Sequence, residues 1–164
     1  MFLTMDQEIQ LVKDTVSIRP HFNLYLLMKK SSYPVEKTDA EWKKQLDPLS
    51  YNVLREQGTE HPFSGAFNNH FETGTYLCKG CGASLYQSNN KFESGCGWPS
   101  FDAAIPGAIE YKKDNSHGML RTEIVCAQCG SHQGHVFDDG PTATGMRYCV
   151  NSVSIDFKEQ KKGD

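Results

Sequence analysis

From Thr75 onward, apolar and polar positions alternate in short stretches, TYLC, ASLYQ, AIEYKK, MLRTEIVC, HVF, RYCV and SVSIDF, parted by Gly, Asn and Asp. A period of two between turn-forming residues predicts strands. Across Met119 to Cys126 the alternation places Leu120, Thr122, Ile124 and Cys126 inward and Arg121 and Glu123 toward water, and Val153, Ile155 and Phe157 follow the same rule. Ahead of this region the signals are helical. Thr38 with Glu41 three residues on forms a capping box, opening a helix through Leu46 that carries Trp42 and Leu46 four apart. Asp47 can cap a second short helix, with Pro48 in its first turn and Gly58 just past an end near Gln57. EHPFSGAFNNHFETG reads as irregular chain, and no helix of useful length is expected after Gln57. The prediction is a mainly β fold, its apolar faces buried between two sheets or inside a barrel, behind short N-terminal helices.

Residues 1–32 lack a clean period and read as an N-terminal appendage in which residues 6–16 can form a short helix. Residues 33–158 are expected to form the main domain, and 159–164 a charged tail. A chain of 164 residues suits one domain plus an extension. With 17 basic against 20 acidic residues the net charge is −3, and basic residues cluster no further than pairs such as Lys29-Lys30, which argues against a nucleic-acid partner. The longest apolar run near the N-terminus, Leu24 to Met28, is too short for a membrane span, and Asp6 and Glu8 precede it where a signal peptide would be basic. The expected location is the cytoplasm, with no membrane partner.

Six cysteines are too few for a disulfide scaffold, and their spacing points to metal and redox chemistry in a reducing compartment. Cys78-Lys-Gly-Cys81-Gly and Cys126-Ala-Gln-Cys129-Gly repeat one C-x-x-C-G knuckle, each after a strand-like run. Two residues between the cysteines let both thiolates of a pair reach one ion, so the four are expected to hold one tetrahedral zinc. With residues 82–125 between the pairs, the ion would clip distant strands together. Four thiolates leave no open position, which makes the zinc structural. Two disulfides, or two thioredoxin-like redox pairs, fit less well, since neither a secretory signal nor a βαβ context accompanies them.

The remaining cysteines are Cys96 and Cys149. His132 to Ser152, HQGHVFDDGPTATGMRYCVNS, gathers His132, His135, Asp139, Arg147, Cys149 and Asn151 within one short stretch. Cys149 falls on a predicted strand after the turn-forming DDGPTATG. Taken alone it reads as a small buried hydrophobe, but Arg147 and either His132 or His135 can raise its thiolate population and make it a nucleophile. Cys96 lies in the glycine-rich loop SGCGWPSF with Trp98. One attacking and one resolving cysteine is what peroxide-type or sulfoxide-type chemistry requires, although two unrelated buried thiols satisfy the same spacing. Trp98 is either core or the wall of a site that holds a small apolar group beside an oxygen.

YPVEKTDAEW, PFSGAF, TYLCKGCGASLY, KFESGCGWPSF, CAQCGSHQGHVFDDGP and RYCVNSVSIDF, in this order, resemble the methionine sulfoxide reductases of the B type over about residues 33–157. The resemblance implies reduction of methionine R-sulfoxide, free or within proteins, on two antiparallel sheets with a structural zinc. It makes Cys149 the nucleophile and Cys96 the resolving cysteine, with Trp98, His132, His135, Asp139, Arg147 and Asn151 lining the site. Thioredoxin is the reductant it implies, and residues 1 to about 30 lie outside it.

The chemistry is consistent. A thiolate on Cys149 can attack the electron-poor sulfur while protonated His135 or His132 donates to the oxygen. Asp139 is expected to hold that histidine protonated, Arg147 to stabilise the thiolate and Asn151 to orient a histidine or water. Cys96 then displaces water from the sulfenic acid, and an external dithiol reduces the disulfide. A zinc-knuckle binding module is the alternative from another class, and it leaves Cys96, Cys149 and the His-Asp-Arg cluster without a role. Thiol peroxidase chemistry is a further enzymatic alternative.

Overall fold

A computed structural model describes residues 33–161. The helix expected within residues 6–16 lies outside the described residues. Helix α1, Asp39–Gln45, starts at the expected capping box: Thr38 Oγ1 accepts from the Glu41 amide at 3.3 Å, and Glu41 Oε2 accepts from the Thr38 amide at 2.7 Å. Helix α2, Pro48–Glu56, has Asp47 as N-cap, its Oδ1 accepting from the Ser50 amide at 3.0 Å. The left-handed residue that ends α2 is Gln57 itself, at φ 58°, not Gly58. Trp42 of α1, Leu46 beyond its end, and Val53 and Leu54 of α2 are buried. They pack over the first cysteine knuckle, where a Cβ on Gly80 would lie 3.4 Å from both Leu54 and Trp42.

Nine strands follow: β1 (Gly74–Cys78), β2 (Ser84–Gln87), β3 (Lys91–Phe92), β4 (Ser100–Phe101), β5 (Ile109–Asp114), β6 (Arg121–Cys126), β7 (His132–Phe137), β8 (Arg147–Val150) and β9 (Ile155–Glu159). They make two antiparallel sheets, one ordered β2-β1-β9 and one ordered β3-β4-β8-β7-β6-β5. Among the described residues, the helical pieces after Gln57 are single 3-10 turns at Ser88–Asn90, Ser116–Gly118 and Ser152–Ser154. No described helix is long and apolar enough to cross a membrane. Tyr76, Tyr86, Phe101, Ile124, Val150 and Ile155 fill the core, with the rings of Tyr86 and Phe101 stacked at 4.3 Å. Each such side chain contributes about 1.5–3 kcal/mol by leaving water.

The expected faces of β6 need correction. Leu120 and Thr122 are exposed, whereas Glu123 and Val125 are buried with Ile124 and Cys126. Alternation marks a face only where the other side of the strand meets water. Here β6 lies between β5 and β7, its C-terminal half is covered on both faces, and the buried Glu123 is satisfied by His132 of β7.

Candidate active site and metal cluster

Antiparallel pairing places Cys149 mid-sheet, opposite His135 of β7 and Ser100 of β4. Close approach of β7 and β8 requires glycine at 134, where a Cβ would sit 1.9 Å from the Cys149 carbonyl oxygen. The loop before β4 brings Cys96 to the same point by turning at Gly95 and Gly97, with φ of 69° and 94°. Glycine adopts those angles without a side-chain clash. The two sulfurs lie 3.8 Å apart, and both are free thiols.

At that distance the pair shares its first proton loss, because the remaining S–H bonds to the sulfur that becomes charged. The Cys149 thiol holds Cys96 below the ordinary thiol range, helped by Ser94 Oγ at 2.9 Å and Ser100 Oγ at 3.5 Å. Cys149 is pushed up by the same contact with Cys96 and by burial, and Arg147 opposes both. The two directions thus arise from one contact, and of the charged neighbours Arg147 favours the thiolate on Cys149. Half-buried Cys149 lines an open cleft, with Thr59, Trp98, Arg121, His135 and Phe137 also in its wall.

Both histidines are held by carboxylates, and neither carboxylate is Asp139. His135 Nε2 lies 2.7 Å from Asp114 Oδ2, which also accepts from Arg121 Nη2 at 2.9 Å. Ser116, then His135, keeps the Asp114 carboxyl well below the usual range, so Nε2 must carry the donated proton and Nδ1 is left to titrate. Burial pulls His135 below its ordinary value, with Asp114 acting in the opposite direction. His132 Nδ1 lies 2.7 Å from Glu123 Oε1, Gln57 Nε2 donates to both oxygens of that carboxylate at 3.2 Å, and the two imidazole centroids are 5.6 Å apart. His132 lines an adjoining polar cavity with His135, Asp114 and Glu123 instead of the Cys149 cleft.

Asp139 is exposed and takes Arg147 in a two-point grip, Nε to Oδ1 at 2.8 Å and Nη2 to Oδ2 at 2.9 Å. A planar guanidinium matches both carboxylate oxygens at once, so the expected bond from Asp139 to a histidine is replaced. Asn151 is buried and orients backbone, not a histidine: Oδ1 accepts from the Glu60 amide and Nδ2 donates to the Gln133 carbonyl, both at 3.1 Å. The Trp98 indole donates to the Glu60 carbonyl at 3.2 Å, which leaves its ring for the cleft. Glu60 is itself buried, its carboxylate accepting from the Ser152 amide at 2.5 Å and the Val153 amide at 3.0 Å. Burial pushes the Glu60 carboxyl up, and those amides oppose it. Sequence reasoning did not find Thr59, Glu60, Asp114, Arg121 or Glu123. A local motif marks none of them, and Glu60 and Asp114 reach the site through partners distant along the chain.

The knuckles converge elsewhere. The sulfurs of Cys78, Cys81, Cys126 and Cys129 all lie within 4.8 Å of one another, with Cys78 and Cys129 at 3.7 Å and Cys81 and Cys126 at 3.6 Å. Gly82 and Gly130, at φ 78° and 69°, turn each knuckle so that their amides donate to the Cys78 and Cys126 carbonyls at 2.7 and 2.8 Å. Such a cluster can hold a metal ion, and it joins β1 of the small sheet to β6 of the large one.

Fold and site together define a two-sheet β protein with a paired-thiol cleft and a separate four-cysteine cluster. A family model described as the SelR domain matches residues 46–159. The chain is 56% identical over 133 residues to the peptide methionine sulfoxide reductase MsrB of Variovorax paradoxus (strain S110), covering 77% of this chain and 98% of that protein. It is 52% identical over 130 residues to the MsrB of Leptospira interrogans serogroup Icterohaemorrhagiae serovar Lai (strain 56601), covering 79% and 99%. It is also 52% identical over 131 residues to the MsrB of Acinetobacter baumannii (strain AYE), covering 79% and 94%. The chain belongs to the MsrB family of peptide methionine sulfoxide reductases.

Metal binding at a cluster formed only in the folded chain contributes directly to folding. Cys81→Ser is expected to lose most of the bound metal and to unfold roughly 10 °C or more below the parent chain. Metal content by atomic emission and thermal unfolding by circular dichroism check this, and lost metal with unchanged unfolding would deny the cluster its structural part.

Proposed function

We propose that this chain reduces methionine R-sulfoxide, free or within oxidised proteins, to methionine, with Cys149 as nucleophile and Cys96 as resolving cysteine. The observation that carries the reading is Cys149 in the wall of the cleft with the Cys96 sulfur 3.8 Å behind it. A proton passing across that contact to Cys96 puts the charge on Cys149, and Arg147, which opposes the upward shift of this thiol, supports it there. The thiolate attacks the sulfoxide sulfur. The oxygen takes up a proton, methionine departs as the sulfide, and Cys149 is left as a sulfenic acid. Cys96 then attacks Cys149, water leaves and a Cys96–Cys149 disulfide forms. Thioredoxin reduces that disulfide and becomes a disulfide itself.

His135 is the proton donor favoured by its place in the cleft wall, and Asp114, not Asp139, fixes its orientation. His132 supports the neighbouring ring through Glu123. Asp139 acts on the site through Arg147, while Asn151 and Glu60 hold the Trp98 wall in place. The family resemblance, with one enzyme type for each sulfoxide epimer, supports the R assignment. For the four-cysteine cluster we assign structural zinc. Sulfurs tetrahedral about zinc at roughly 2.3 Å stand about 3.8 Å apart, close to the 3.7 and 3.6 Å found. The cysteine spacing, which suits metal and redox chemistry and not a disulfide scaffold, supports a reducing compartment such as the cytoplasm and a part in repairing oxidised proteins.

Two experiments test the assignment. Cys149→Ser is expected to release no methionine, whereas Cys96→Ser releases one equivalent in a single turnover and then fails to recycle with thioredoxin. Recycling of Cys96→Ser at the parent rate would remove Cys96 as the resolving residue. For the proton donor, protonated His135 is lost as pH rises through its depressed pKa, and Asp114→Asn removes an opposing influence. The alkaline fall of kcat/KM is therefore expected at lower pH in Asp114→Asn, with kcat near neutrality down roughly tenfold. A fall at the parent pH would exclude His135 as the donor.

A further inference from the structure

Gln133 of β7 is fully buried, and its side-chain oxygen Oε1 has no hydrogen-bond partner among the described residues. Burying an amide oxygen in this way costs the fold a desolvation that an apolar side chain of similar size does not incur. The other end of the amide shows what is gained. Nε2 donates to the Cys78 sulfur at 3.7 Å and to the Ser131 carbonyl at 3.2 Å, so the side chain is aimed into the four-cysteine cluster. A second donor reaches a second sulfur. Arg55 Nη1 donates to Ser131 Oγ at 3.3 Å, which occupies a lone pair of that hydroxyl and leaves its hydrogen for the Cys129 sulfur at 3.2 Å. Arg55 is held in place by the Trp42 ring, whose centre lies 4.7 Å from the guanidinium carbon, and by the Cys129 carbonyl at 3.1 Å.

We propose that Gln133 and Ser131 draw charge from the metal-binding sulfurs and so keep the cluster inert toward the oxidants and electrophiles with which the Cys96–Cys149 pair reacts. The inference rests on the zinc assignment and gives a protective role to two residues that do not ligate the ion. Four thiolates about one divalent ion leave a net double negative charge, and the thiolate is the reactive form of cysteine. A donor bonded to a ligating sulfur takes up part of that charge and lowers the nucleophilicity of the ligand. Cys81 is the half-buried member of the cluster, whereas Cys78, Cys126 and Cys129 are buried. A dissolved oxidant therefore meets Cys81 first. Because all four sulfurs donate to one ion, charge drawn from Cys78 and Cys129 is drawn through the ion from Cys81 as well. The donors act on the sulfur that is exposed through the two that are not.

The test follows zinc release from the zinc-loaded full chain with a chromogenic chelator, once with hydrogen peroxide and once with the chelator alone. Peroxide takes two electrons from two bound thiolates, which join as a disulfide and let the ion go, and with two protons it leaves as two waters. Gln133→Leu, which removes the donor together with the unpartnered oxygen, is expected to release zinc to peroxide roughly fivefold faster or more, while release to the chelator alone stays within about twofold of the parent. The same variant should unfold at or above the parent temperature. With cobalt in place of zinc, its sulfur-to-metal charge-transfer band should move to longer wavelength, since sulfurs that keep more charge are easier to oxidise. Ser131→Ala should speed the peroxide reaction likewise, and Ser131→Thr, which keeps the hydroxyl, should restore the parent rate. Release at the parent rate, an unshifted band, or equal acceleration with and without peroxide overturns the protective role, the last because it marks a loosened fold. Should Gln133→Leu fail to fold, the Ser131 pair decides by the same criteria. If the parent chain binds no zinc, the zinc assignment fails, which is a separate result.

Discussion

Four sulfurs gathered within 4.8 Å stand where the two sheets meet, with Cys78 ending β1 of the small sheet and Cys126 ending β6 of the large one, and on the proposed assignment a metal held there fixes the sheets in relation to each other. Everything at the reactive end depends on that alignment. Strand β6 pairs with β7, β7 with β8, and β8 carries Cys149. Helix α2 closes over the cluster, with Arg55 Nη1 donating to the Cys129 carbonyl at 3.1 Å. The chain leaving α2 then supplies Gln57, Thr59 and Glu60 to the site. On the proposed reading, the cluster takes no part in the redox step and bears on it through these paired strands and α2.

At the cleft, the decisive effects are local and electrostatic. Two sulfurs at 3.8 Å cannot both be charged at low cost, so whichever ionises first is stabilised by the proton left on the other. Hydroxyls of Ser94 and Ser100 favour Cys96 at rest, and the cleft favours reaction at Cys149. In the proposed reaction, proton exchange across the pair reconciles the two. Each histidine has one nitrogen committed to a carboxylate, half-buried Asp114 or buried Glu123 and not exposed Asp139, which fixes the nitrogen left over.

Much of this was legible in the chain. The capping box at Thr38, the strand pattern from Thr75 and the repeated knuckle each express a rule with a short period, and each reappears in the structure. The partners of the reactive groups did not follow. Asp139 lies close to His135 in sequence, yet the β7–β8 register places it opposite the Arg147 side, and Asp114 arrives from β5 across two strand pairings. Alternation turns Glu123 toward water because a period of two cannot show that the other face of the strand is covered. Glu60 was silent, since a carboxylate whose role is to accept two amides from residues over ninety positions away carries no local signature.

The most direct test of the paired-thiol reading is a reaction of the reduced full chain with excess racemic methionine sulfoxide and no added reductant. Chiral chromatography of the residual sulfoxide and peptide mapping of the cysteines are read together. One equivalent of the R epimer should be consumed per chain, with a disulfide joining Cys96 and Cys149 and all four knuckle cysteines still reduced. Consumption of the S epimer, or a disulfide that includes a knuckle cysteine in place of Cys149, would contradict it.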